Sequence, residues 1–277
     1  MSYAPLWDGG PDYQPCHYGT TKPVFRGPER EIPSNGIVAL GSTETFGKFI
    51  EFPWPERLEG GCGKPVINLG CVNSSVDLYL GAPHLLDQAR KADAVIVQIS
   101  GAACLTNKYF AVHPLRNDRF LSASSTLAAI YRNVDFSEFH FIRHMLSTLA
   151  QEDPRRFATI VAELQRCWVV RMRHMLRRLD RPVLGLWLAD AAPPVELPEG
   201  SLGPDPLFVT AAMLEDVRSG FSDIIEVTPG AASRSPDGRG RMFNQMDRHA
   251  ASHVYPSDVH QQVADAVLPW VRGLATS

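Results

Sequence analysis

The sequence predicts an α/β protein: a three-layer α/β/α sandwich on a parallel sheet, with an inserted helical hairpin. Three observations carry this expectation. Short, continuous, β-branched runs recur between residues 36 and 227, as strands covered on both faces require. Helical stretches separate those runs, and a β-α-β-α series closes into a parallel sheet through right-handed crossovers. The first three runs each end in a small polar loop, and parallel strands carry such loops to one edge of the sheet, where ligands gather in open α/β folds.

The elements follow in order. Residues 1–35 are rich in Gly, Pro and aromatics without periodicity. They read as an ordered arm over the domain, because Trp7, Tyr13, Tyr18 and Phe25 are costly to leave in water. The domain proper spans 36–277. Its strands are Ile37–Leu40, Pro65–Gly70, Ala94–Ile99, Val183–Leu188 and Ile224–Val227, with helices at Pro83–Lys91 and Phe208–Ser219 among the connections. An insertion over about 120–181 holds three helical patterns in a row. Asp153-Pro154 starts the third, since proline suits the first turn. Phe157, Ile160, Val161, Leu164, Trp168, Met172, Met175 and Leu179 then form one apolar stripe, with Arg166, Arg171, Arg173, Arg177 and Arg178 opposite. The arginines are either a solvated face or a docking surface for an anionic partner. Residues 229–241 read as a mobile loop.

Bulk properties narrow the function classes. At 277 residues the chain suffices for one large α/β domain, and 44% hydrophobic with 21% charged residues is ordinary for a soluble globular protein. A net charge of −3 supplies no general footprint for nucleic acid or membrane. Five scattered cysteines without a C-x-x-C pair read as reduced thiols, and no signal peptide or spanning segment is evident, so the expected compartment is the cytoplasm.

The chemistry-bearing residues cluster in the strand-end loops. Strand one is followed by Ser42, Thr43, Glu44 and Thr45; strand two by Gly70-Cys-Val-Asn-Ser-Ser75, including Asn73; strand three by Ser100 through Asn107. Each loop taken alone is equally explained by glycine allowing a sharp exit and Asn or Ser capping the next helix. Downstream, His113-Pro-Leu-Arg-Asn-Asp-Arg119 is dense in hydrogen-bonding groups. Arg116 and Arg119 are candidates for forked binding of an acidic substrate group, and Asn117 is either a substrate contact or a cap. Gly41–Lys48 departs from a phosphate-binding loop in its glycine spacing and in Phe49 after the lysine. His140 and His144 have the i, i+4 spacing of zinc ligands but lack the intervening glutamate and an evident third ligand, so no metal is assigned.

The stretch Gly-Ile-Val-Ala-Leu-Gly-Ser-Thr-Glu-Thr-Phe-Gly, residues 36–47, resembles the first block of the SGNH (GDSL-type) hydrolases. Gly41, Thr45 and Gly47 match, Ser42 takes the Asp position and Thr43 the nucleophile position. Asn-Leu-Gly70 resembles the second block, and Gly101 with Asn107 is nearest to the third. Tyr255-Pro-Ser-Asp-Val-His260 with its following helix resembles the last. The resemblance implies a flavodoxin-like SGNH fold and a site in which Thr43 or Ser42 attacks an ester and His260 takes the proton. In that site Asp258 orients His260, and Gly70 and Asn107 receive the oxyanion. The β-branch of Thr43 crowds the attack path, and a gap-free reading puts Tyr255 at the histidine position. Residues 36–146 also resemble an uncharacterised alphaproteobacterial protein family, which implies no activity. The expected function is an ester hydrolase or acyl transferase on a small or carbohydrate-linked ester, without metal or organic cofactor. The alternatives are a catalytically degenerate module of the same fold that binds a glycan or anion, and a group transferase such as a sulfotransferase.

Overall fold

The computed structural model describes residues 9–234 and 237–274. Strands β1 (Ile37–Gly41), β2 (Val66–Gly70) and β3 (Ala94–Gln98) are connected through helices α1 (Thr43–Phe46), α2 (Trp54–Cys62), α3 (Val76–Gly81) and α4 (Pro83–Ala89). A separate hairpin, β4 (Phe110–Val112) with β5 (Phe120–Ala123), precedes α5 (Ser125–Ile130), α6 (Ile142–Glu152) and α7 (Pro154–Leu179). Then come β6 (Val183–Leu188), α8 (Ala211–Val217), β7 (Asp223–Val227), α9 (Arg248–Ala251) and α10 (Ser257–Gly273). The five main strands pair in parallel in the order β2-β1-β3-β6-β7. This is the doubly wound, flavodoxin-like order, whose direction reverses between β1 and β3.

Alternation along each strand builds the three layers. Ile37, Ala39 and Ile96 pack with Leu58 of α2 and with Val259, Val263 and Val267 of α10 on one face. Val38, Leu40, Val95 and Val97 pack on the other with Leu85 and Leu86 of α4 and with Trp168, Met172 and Met175 of α7. Every residue of β1, β3 and β6 is buried, so both faces are covered and the runs read as unbroken apolar stretches.

The long helix begins where Asp153 and Pro154 place it, with the Asp153 carboxylate accepting the N–H groups of Arg155 and Arg156 at 3.0 Å. Its stripe is buried, Val161 only in part. The opposite face is tied to neighbours: Arg171 pairs with Asp77, Arg173 with Asp216 and Arg178 with Asp87. Glu163 lies buried within that helix against Arg166 and Lys108, and the Arg166 hydrogen bond lowers its carboxyl to about 2.

Three local expectations change. The β4–β5 hairpin reaches to Ala123, so the insertion opens with a strand; its segments are too short to show a period. Phe208 has φ +65°, which no helix accommodates, and the helix there begins only at Ala211 under a Thr210 cap. Within 229–241, Arg234 binds Asp190 and buried Arg241 donates to the carbonyls of Ala251 and Val254, while residues 235–236 lie outside the described residues. From Gly9 onward the arm packs on the domain: Tyr18 and Phe25 are buried edge to face at 5.6 Å, and the Tyr13 hydroxyl accepts the Phe49 N–H at 2.7 Å. Trp7 lies outside the described residues. Among the described residues no helix is long and apolar enough to cross a membrane.

Candidate functional site

A cavity of about 340 Å³ opens outside the carboxyl ends of β1, β3 and β6, at the point where strand order reverses. Ser42, Thr43 and Glu44 from the β1 exit form one wall, Asn73, Ser74 and Ser75 from the β2 exit another, and Gln98 with Ser100 the floor. Asp118, Phe141, Arg143 and Asp205 close one side; Arg234, His253 and Tyr255 close the other.

Gln98 organises the first wall. Its Oε1 accepts the N–H groups of Ser42 and Thr45, both at 3.2 Å, and the Thr45 hydroxyl at 2.6 Å. Backbone N–H groups can only donate, so the amide oxygen must face the turn and Nε2 is left without a partner among the described residues. Thr43 joins this wall to the next: its Oγ1 donates to Asn73 Oδ1 at 3.2 Å and accepts the Asn73 N–H at 3.1 Å. Asn73 in turn donates from Nδ2 to Asp118 at 3.1 Å, while the other oxygen of Asp118 is buried and unpartnered. The Ser42 hydroxyl has no hydrogen-bond partner among the described residues and lines the cavity.

Guanidiniums and carboxylates alternate around the mouth. Arg143 spans both oxygens of Asp205 at 2.6 and 2.7 Å. Arg234 lies 3.9 Å over the Tyr255 ring and binds Asp190, whose other oxygen accepts the Tyr255 hydroxyl at 2.7 Å. Burial, and then the bond to Asp190, raises the Tyr255 phenol, which stays protonated. Burial together with nearby Asp118 pushes the Cys104 thiol up to about 12, so this cavity cysteine is not a thiolate. Partial burial and the nearby charges of His249, Arg143 and Arg234 hold His253 below its ordinary value, in the neutral form.

Several sequence-derived candidates stand away from the cavity. The His260 imidazole is buried behind Glu44. Its Nδ1 accepts the Trp54 N–H at 3.1 Å, so the neutral ring carries its proton on Nε2, 3.6 Å from Glu44 Oε2. No hydrogen bond links it to Ser42 or Thr43 among the described residues, and its Nε2 is buried without a hydrogen-bond partner there. Asp258 is exposed in the first turn of α10, without a bond to His260. The Gly70 N–H is taken by Asn68 Oδ1 at 2.9 Å. Glycine is needed there because a Cβ would stand 2.4 Å from the Phe46 nitrogen. Asn107 ties its own loop, donating to the Leu105 carbonyl and accepting the Tyr109 N–H. Neither residue presents a donor to the cavity.

The His113–Arg119 segment acts from behind. Asn117 is fully buried, and its Oδ1 holds the N–H and hydroxyl of Ser75, supporting the second wall. Arg119 stacks 4.0 Å from the Phe141 ring, which lines the cavity, and Arg116 is exposed outside it. His140 precedes the first turn of α6, so the two histidines do not share a helix face.

Gln98, Arg143, Arg234 and Asp205 escaped the sequence reading. Gln98 carries a signal in retrospect, as a polar residue closing the apolar run Ala-Val-Ile-Val. The others come from three different connections and share no spacing. No protein of curated function matches the chain. The profile of a domain of unknown function, DUF6473, covers residues 1–275, and the chain belongs to that family.

Proposed function

We propose that the switch-point cavity binds a neutral, polyhydroxylated ligand of carbohydrate type. One observation carries this reading: the cavity combines an exposed aromatic face, Phe141, with planar side chains of both hydrogen-bonding senses. Asn73 and Gln98 are amides, Asp118 and Glu44 only accept, and Arg143 and Arg234 only donate. Sugar hydroxyls both donate and accept, so they need this mixture, while the C–H face of a pyranose packs on an aromatic ring. Phe141 is 44% exposed and backed by the Arg119 guanidinium, which holds the ring for stacking. A sulfate or phosphate ligand would call for excess positive charge. Here Arg143 is matched by Asp205 and Arg234 by Asp190, and Glu44 and Asp118 add negative charge. The sulfotransferase and simple anion-binding alternatives lose ground on that count.

A second reading, acyl chemistry on a carbohydrate-linked ester, is favoured by the unengaged Ser42 hydroxyl at the exit of β1 and by the likeness of this turn and the last helix to SGNH hydrolases. It needs a base other than His260, whose Nδ1 accepts the Trp54 N–H; the imidazole that lines the cavity is that of His253. Reduced, scattered cysteines fit a cytoplasmic setting for either reading.

Saturation-transfer NMR on the full chain with a panel of neutral mono- and disaccharides tests the first reading. At least one sugar gives a signal in the wild type that Phe141→Ala removes. No signal from any sugar, or an undiminished signal in Phe141→Ala, defeats it. Hydrolysis of short-chain nitrophenyl esters by wild type, Ser42→Ala, Thr43→Ala and His260→Ala tests the second, and equal rates for all four proteins remove it.

A further inference from the structure

The outer edge of β2 lies away from the switch-point cavity and carries backbone groups that the fold leaves open. Ile37 donates its N–H to the Pro65 carbonyl and Cys71 donates to that of Gly41, so the odd-numbered residues of this stretch face β1. The even-numbered residues 66, 68 and 70 therefore face outward. Two of their N–H groups are satisfied by side chains: Val66 by the Glu59 carboxylate at 2.7 Å, and Gly70 by Asn68 Oδ1 at 2.9 Å. The Asn68 N–H and the carbonyls of Val66 and Asn68 have no partner among the described residues.

A cleft of about 420 Å³ runs along these groups, between Val66–Asn68 on one side and arm residues Pro11–Arg30 on the other. Its guanidiniums are already engaged, Arg26 by the carbonyls of Gly47, Ile50 and Glu51, and Arg30 by Glu59. Asp12, Glu51 and Glu56 are exposed at the cleft and form no salt bridge among the described residues, and the Phe52 ring beside them is 49% exposed.

We propose that this edge takes up an extended, basic peptide segment by strand addition. In an antiparallel arrangement one peptide residue exchanges both of its backbone hydrogen bonds with Asn68. The N–H two residues further on reaches the Val66 carbonyl, so the open groups are satisfied at the period of a strand. A compact cation has no such pair of backbone groups at that spacing. Lysine or arginine at alternate positions of the peptide meets Asp12, Glu51 and Glu56, and apolar positions cover Phe52. An open edge strand is a template for another chain, and here the arm narrows it to a short slot, which limits what can pair.

The test uses the full chain and a displayed library of random hexapeptides. Selection enriches sequences with alternating basic residues. A synthetic enriched peptide perturbs the Asn68 amide resonance on binding. Methylating the backbone nitrogen of its central residue, which removes a donor and leaves every side chain in place, weakens binding at least tenfold. Glu51→Lys with Glu56→Lys, both on exposed positions, does the same. A library that enriches nothing, peptides whose footprint lies away from β2, or binding indifferent to N-methylation each overturn the proposal.

Discussion

Replacing Gln98 by leucine tests whether the cavity wall is held by one side chain. Gln98 is buried at the end of β3, and its single oxygen receives the N–H groups of Ser42 and Thr45 and the Thr45 hydroxyl. Leucine fills much of the same space but accepts nothing, so three donors lose their partner together. A buried donor left unsatisfied costs about 1–3 kcal/mol. Thr45 is fully buried and loses two bonds, whereas Ser42 is partly exposed and water replaces some of its loss. The expected destabilisation is about 3 kcal/mol, or a fall in Tm of roughly 5 °C for a chain of this length. Gln98→Glu separates the two roles of the side chain. The carboxylate still accepts from the turn and keeps most of the stability, but it cannot supply the donor that Nε2 offers to the cavity. Urea unfolding followed by circular dichroism, with Thr45→Val as a single-bond reference costing about 1–2 kcal/mol, measures these differences. A Gln98→Leu protein within about 0.5 kcal/mol of wild type would refute the claim that this amide organises the β1 exit.

Three further outcomes follow from the packing. Asp153→Ala removes the cap of α7 and two backbone acceptor contacts, and should lower stability by about 1 kcal/mol in urea unfolding, with no change expected in Asp153→Asn beyond a few tenths. Gly70→Ala forces a Cβ to within 2.4 Å of the Phe46 nitrogen, a backbone atom that cannot rotate away; a loss of about 2 kcal/mol or more is expected, and a neutral result would show that α1 shifts freely. Glu163 has a folded carboxyl lowered to about 2 from 4.5, so its contribution is fully present above about pH 4.5 and is lost as pH falls toward 2. Melting curves at pH 6 and pH 3 should therefore converge more in Glu163→Gln than in wild type, and equal losses in both proteins would remove the Arg166–Glu163 pairing as a source of acid sensitivity.

The amino-acid sequence by itself determined the layered architecture, because both-face burial of a parallel strand demands the continuous apolar runs seen at Ile37–Leu40, Ala94–Val97 and Val183–Leu188. It also determined the start of α7, since Asp153-Pro154 is a local cap whose physics needs no distant partner. Topology then brought the Ser42–Thr43 and Asn73 loops to one edge, which follows from parallel strands alone. What the loops face was decided only in three dimensions. Asn117, Gly70 and Asn107 look like site residues in one dimension because buried supports and ligand contacts use the same polar side chains, and only partners tell them apart. His260 and Tyr255 sit five residues apart along the chain, yet the entry angle of α10 turns the tyrosine toward the cavity and the imidazole toward Trp54. Arg143, Asp205 and Arg234 belong to connections far apart in sequence, and a charge pair formed across such distances leaves no period or spacing to read; tertiary packing alone supplies it.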